Sequence, residues 1–168
     1  MKKIVFIGLL ILITACSTPE THVDEILGFK LYENVKKHFP TDIYFDMETR
    51  TTVLDEISKA EVELTGAKLR NFDFAVLFFS ETNSVHSIRA IKRLDEEKTS
   101  YCLDEVLPNY IKSYEKKFDI TMSKYEPLSL GAAKGKYFYD SKKNLLLITC
   151  KKKDNYNYVE VSLSTPLY

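Results

Sequence analysis

Three thiols, three imidazoles and a band of lysines are the side chains of this sequence best suited to chemistry. The thiols are Cys16, Cys102 and Cys150, and the imidazoles are His22, His38 and His86. Structural zinc and thiol–disulfide exchange characteristically use close C-x-x-C pairs. No such pair occurs, so neither a metal nor a cofactor is expected. The sequence also lacks H-E-x-x-H, G-x-S-x-G and a phosphate-cradling glycine loop. Asp104-Glu105 and Glu96-Glu97 are adjacent carboxylates. Neighbours on a helix diverge by roughly 100°, so these suit dipole partners and solvated charge better than an acid–base pair. No catalytic constellation results, and an enzyme is not expected.

The lysines cluster late in the chain. Lys134, Lys136, Lys142, Lys143, Lys151, Lys152 and Lys153 are interleaved with Tyr137, Phe138, Tyr139, Tyr156 and Tyr158. One reading is an anionic-ligand surface of Lys136, Lys142, Lys143, Lys151, Lys152 and Lys153, contacting phospholipid or lipopolysaccharide head groups or an anionic glycan. The plainer reading, preferred on sequence alone, is that they solvate turns and discourage edge-to-edge pairing of strands.

The amino end sets the compartment. Lys2 and Lys3 precede an apolar run from Ile4 to Ile13, then Thr14, Ala15 and Cys16. Charged, apolar and small segments in that order make a secretory signal. The run falls short of the ~20 residues that a membrane-spanning helix needs. The ending Ile13-Thr14-Ala15-Cys16 resembles the lipobox of bacterial lipoproteins. Ile13 is a poor fit to the first alanine of an ordinary A-x-A cleavage site. The resemblance implies removal of residues 1–15, acylation of Cys16 with palmitate among its chains, and anchorage in a membrane. Ser17 stands where an aspartate would signal inner-membrane retention in Gram-negative hosts, so the expected address is the outer membrane, facing the periplasm. Residues 16–24 then form a lipidated end and short polar spacer, and 25–168 a single domain.

Export also divides the thiols. With Cys16 taken by lipid, Cys102 and Cys150 remain as an even pair in an oxidising compartment, and a disulfide between them is expected. Two separately buried thiols are the alternative. Lys2 and Lys3 are two of 24 basic residues, which leaves 22 against 24 acidic ones after processing, so a nucleic-acid partner is not expected. Only five glycines and five prolines occur, which argues against disorder.

The elements that must position these groups are partly readable. Leu31, Val35 and either His38 or Phe39 suggest a short helix over 32–39, stopped by Pro40. Residues 41–70 carry weak signals, a strand-like run at Ile43 to Phe45 and helical spacing over Val53, Leu54, Ile57 and Ala60, and only a strand near Glu61 to Thr65 is predicted there. FDFAVLFF and the run from Val85 to Leu94 flank the turn ETNS and predict a hairpin. Leu103, Val106, Leu107, Tyr110, Ile111, Tyr114 and Phe118 recur at three- and four-residue steps and predict the main helix. Thr99 or Ser100 can cap it. Pro108 requires a kink there or a separate turn over residues 100–106. Three strands close the chain: Lys136 to Asp140, Leu145 to Cys150 and Tyr156 to Leu163.

A helix followed by strands, twice over, predicts an α+β fold: an antiparallel sheet with helices on one face, arranged as a tandem αβββ duplication. Residues LGFKLYENVKKHF resemble the helix-opening segment of β-lactamase-inhibitor-protein-like tandem repeats, though the second glycine and the serine cap are missing. In that plan the second helix starts at Cys102 and the strand ending at Cys150 passes beneath it. The expected function is a binding or envelope-interaction module for an envelope protein or an anionic envelope component. The alternative is an inhibitor of a secreted or periplasmic lytic enzyme, with 46–59 as its protruding loop, and a hydrolase with an unfamiliar site comes third.

Overall fold

The computed structural model describes residues 21–38, 48–51, 56–63, 71–80, 82–95, 99–125, 134–153 and 156–166. The signal-type segment, Cys16, the strand-like run at 43–45 and the Glu96-Glu97 pair lie outside the described residues.

FAVLFF and VHSIRAIKRL form β5 (Phe74–Phe79) and β6 (Val85–Leu94), joined by the predicted turn and paired antiparallel. The last three predicted strands are β8 (Lys134–Tyr139), β9 (Leu145–Lys153) and β10 (Tyr156–Ser164). Two short edge strands complete the sheet, β3 (Glu48–Thr51) and β7 (Ser123–Tyr125), with β4 (Glu56–Glu63) lying between β3 and β5. A small hairpin of β1 (Glu25–Ile26) and β2 (Phe29–Lys30) precedes them. The eight-stranded sheet has the order β3-β4-β5-β6-β10-β9-β8-β7. Two four-strand meanders therefore meet through their last strands, β6 and β10, which pair antiparallel from Leu94↔Asn157 to Ser87↔Ser164. The α+β expectation holds, but each half contributes four strands rather than three.

The first helix is reduced to a single 3-10 turn at Val35–His38, shorter than the helix expected over 32–39. Its Val35 is buried and its backbone N–H donates to the Asn83 carbonyl. The main helix resolves the Pro108 conflict by changing its winding. Residues Tyr101–Val106 form a π turn, and α1 (Leu107–Phe118) starts afresh with Pro108 in its first turn, where a missing N–H removes no α-helical bond. Ser100 already has helical angles and makes no side-chain cap bond, contrary to the cap expectation. The Thr99 hydroxyl instead reaches Asn157 at 3.4 Å. Asp119, left-handed at φ 53°, ends α1.

Leu107, Ile111 and Tyr114 of α1 are buried on one side of the sheet. Beneath them lie paired residues of β6, β9 and β10: Ile88, Ala90, Leu146, Ile148, Val159, Val161 and Leu163, all at 0% exposure. Full burial of each Ile, Leu or Val contributes about 1.5–3 kcal/mol, so this layer is the main support of the fold. The Cys102–Cys150 disulfide joins the π turn to β9, fastening helix to sheet as expected. Among the described residues no helix is long and apolar enough to cross a membrane.

Candidate functional site

In the tail, the structure separates the lysines instead of gathering them. β9 runs through Lys153, so Lys151–Lys153 belong to the strand rather than to a turn. Residues paired across an antiparallel ladder share a face. Lys136 pairs with Ile148, which puts it on the helix side, where its Nζ lies 3.7 Å from Glu115. Lys152, opposite Asn157, takes the helix side and is exposed. Lys151, opposite Tyr158, takes the other side and donates to Glu160 at 2.8 Å. Lys153 stands opposite Tyr156 in register. Lys142 and Lys143 lie in the β8–β9 turn at the other end of the strand, roughly 25 Å away at ~3.3 Å per residue. No single basic patch holds all six.

The three histidines are equally dispersed. His22 contacts the Ser141 hydroxyl at 3.2 Å, His86 is exposed on β6, and His38 ends the 3-10 turn. Among the described residues no group of His, Cys, Asp or Glu could hold a metal ion. One open depression of about 600 Å³ is lined by Asp73, Lys92, Arg93, Leu94, Asp95 and Tyr101. Its Asp73 accepts from Lys92 at 2.8 Å and from the Arg93 backbone N–H at 2.6 Å. Burial pushes the Asp73 carboxyl up, but these two bonds and the charges of Lys92 and Arg93 outweigh it and hold the group below 3.8. A lowered folded value stabilises above the unfolded value and is lost as pH falls through it. Asp73→Asn should therefore lower stability at neutral pH and leave it nearly unchanged at the acid end, flattening the acid limb of a stability–pH curve below about pH 4, as urea titrations at several pH values would read.

What the structure does assemble is the sheet face opposite α1. Phe74, Val76 and Phe78 of β5 pair with Ile91, Arg89 and Ser87 of β6 on that face. Arg93, Arg89 and Ser87 in turn pair with Tyr158, Ser162 and Ser164 of β10. β9 and β8 add Leu145, Leu147, Tyr137 and Tyr139. Both arginines are exposed and lie on aromatic rings: Arg89 4.6 Å from the centroid of Phe78, Arg93 5.2 Å from Phe74 and 5.5 Å from Tyr156. Among the described residues neither has a carboxylate salt bridge. Tyr137 and Tyr139 meet edge-on at 5.6 Å, and Tyr156 and Tyr158 lie 6.0 Å apart. Burial raises the Tyr158 phenol, helped by Glu160 and Tyr156 and opposed by Arg89, so it stays a neutral hydrogen-bonding group at physiological pH.

At the centre of the face, Glu160 is 5% exposed and held by Lys151, while its register partner Thr149 is 1% exposed. The Thr149 hydroxyl has no hydrogen-bond partner. A buried, unbonded hydroxyl is costly, so Thr149→Val, which keeps the shape, should raise stability by about 1 kcal/mol in chemical denaturation.

Sequence reading found the tyrosines but not this surface. Arg89 and Arg93 sit far from Tyr156 in the chain and meet it only through β6–β10 register. The available signal was FAVLFF itself, which is apolar on both faces where a half-covered strand would alternate. No protein-family model matches the chain, and comparisons with curated proteins and with solved structures find no match.

Proposed function

We propose that this chain is a lipid-anchored protein of the bacterial outer membrane, facing the periplasm, whose body is a protein-binding module. Its signal is residues 1–15, its acylated residue Cys16, and its binding surface the sheet face opposite α1. The occupant is a partner protein that presents carboxylates among apolar side chains. The observation that carries this reading is the pair of exposed arginines stacked on aromatic rings beside four tyrosines. Arginine and aromatic residues are enriched in the centres of protein interfaces, and lysine is depleted. A lipid or glycan surface would instead favour the tail lysines, which lie at opposite ends of β9. The residues offered to an inhibitory loop, 46–59, include strands β3 and the start of β4, so the inhibitor reading finds less support.

Crosslinking of the lipidated chain in intact envelopes tests the proposal. Crosslinks from β5, β6 and β10 to an acidic segment of one partner are expected. Arg89→Glu with Arg93→Glu should weaken that complex roughly 100-fold, and added salt should weaken it further. A partner that binds the double variant equally well would overturn the assignment, and a captured lytic enzyme would convert binding into inhibition. Cys16→Ala should leave an unprocessed precursor without acyl label; unchanged labelling removes the anchor.

A further inference from the structure

The point where the chain joins the body coincides with the two most exposed aromatic residues among those described. The Val23 backbone N–H donates to the Asp140 carboxylate at 3.1 Å, and His22 reaches Ser141. Asp140 also accepts from the backbone N–H groups of Lys142 and Asn144 and from the Asn144 side chain, which fixes the β8–β9 turn. The Tyr32 hydroxyl donates to Asn144 at 2.9 Å. Residues 21–32 are thus fastened to the turn that carries Lys142 and Lys143. Tyr32 and Tyr139, 52% and 57% exposed, flank it and are the exposed large hydrophobic residues among those described. The 3-10 turn with exposed Lys36 belongs to the same end, because it packs on the β5–β6 turn through Val35 and Asn83.

We infer that this end of the sheet is a membrane-contacting surface that seats the body on anionic phospholipid head groups. The inference rests on the Cys16 anchor. From Cys16 to His22 are six residue steps, about 20 Å at full extension, whatever conformation they take. An acylated Cys16 therefore holds the Lys142–Lys143 turn within reach of the head groups. Tyrosine rings favour the interface between head groups and acyl chains, and lysines near an anionic surface are attracted to it over about a Debye length. The opposite end, with Lys152 and Tyr156, then points away from the bilayer. The arginine–aromatic face stands beside the bilayer rather than against it, open to a partner in the periplasm.

Hydroxyl-radical footprinting of the lipidated full chain tests this in vesicles of neutral phospholipid and in vesicles containing anionic phospholipid. Oxidation of Tyr32 and Tyr139 should fall about three-fold in the anionic vesicles, with Tyr101 and Tyr156 unchanged. The difference should disappear at high salt and in a variant carrying Lys142→Glu and Lys143→Asn; asparagine suits the left-handed φ of 63° at position 143. Equal oxidation in both lipids, in a chain that floats with the vesicles, overturns the contact and leaves the anchor standing. A chain without acyl mass at Cys16 overturns both.

Discussion

Replacing Cys102 and Cys150 by alanine should lower the unfolding free energy by about 4 kcal/mol. The bond closes a loop with a sequence separation of 48. Chain-entropy reasoning gives the unfolded ensemble a loss of this size for a loop of that length. Both sulfurs lie in the core, so alanine also removes buried contacts, and the total is no smaller than the loop term. The melting temperature should drop by roughly 10 °C, at ~2–4 °C per kcal/mol for a domain of this size. Because the bond ties the π turn to β9, hydrogen exchange should rise first over residues 101–106. Calorimetry of the disulfide-bonded protein, with and without reductant, gives the measurement. A reduced protein that melts unchanged would show the staple to be dispensable.

The parts of this fold that sequence revealed are those where packing imposes a period. β5, β6, β10 and α1 bury long stripes, and their spacing shows it. The two strands missed outright, β3 and β7, are the sheet edges, four and three residues long with the sequences ETRT and SKY. Short polar edges resist aggregation, and for the same reason they carry no alternation to read. Missing one strand at each edge turned two four-strand halves into three-strand ones. The π turn was invisible for a different reason. Pro108 announced a conflict at that position, but winding, kinking and breaking all satisfy it, and burial of Cys102 against β9 decides among them. The arginine–aromatic face needed register. A one-residue slip of β10 against β6 would reverse its faces relative to Arg93, and nothing local to either strand forbids that slip. The core residues Val159, Val161 and Leu163 oppose it once α1 is in place, because a one-residue slip would turn all three away from the helix.

Gly135→Ala should destabilise the carboxyl-terminal half by about 3 kcal/mol or more, enough to detach β7 and β8 from the sheet. A methyl built on Gly135 would stand 2.0 Å from the Ile148 carbonyl oxygen and 2.8 Å from the Thr149 methyl. The carbonyl belongs to β9, which is paired on both sides and clipped to the helix through Cys150, so it cannot retreat. β8 must give way instead, since its outer neighbour is only the three-residue β7. Leaving β9 would expose Phe138 and carry Tyr137 and Tyr139 off the arginine–aromatic face. Exchange protection should therefore fall along β8 while β5, β6 and β10 keep theirs, and Tyr139 should lose its place at the proposed membrane-facing end. Thr149→Ser removes the methyl but not the carbonyl, so adding it to Gly135→Ala should restore only a small part of the loss. Full rescue by that second change would mean that side-chain crowding, and not close approach of the two backbones, requires glycine at this position.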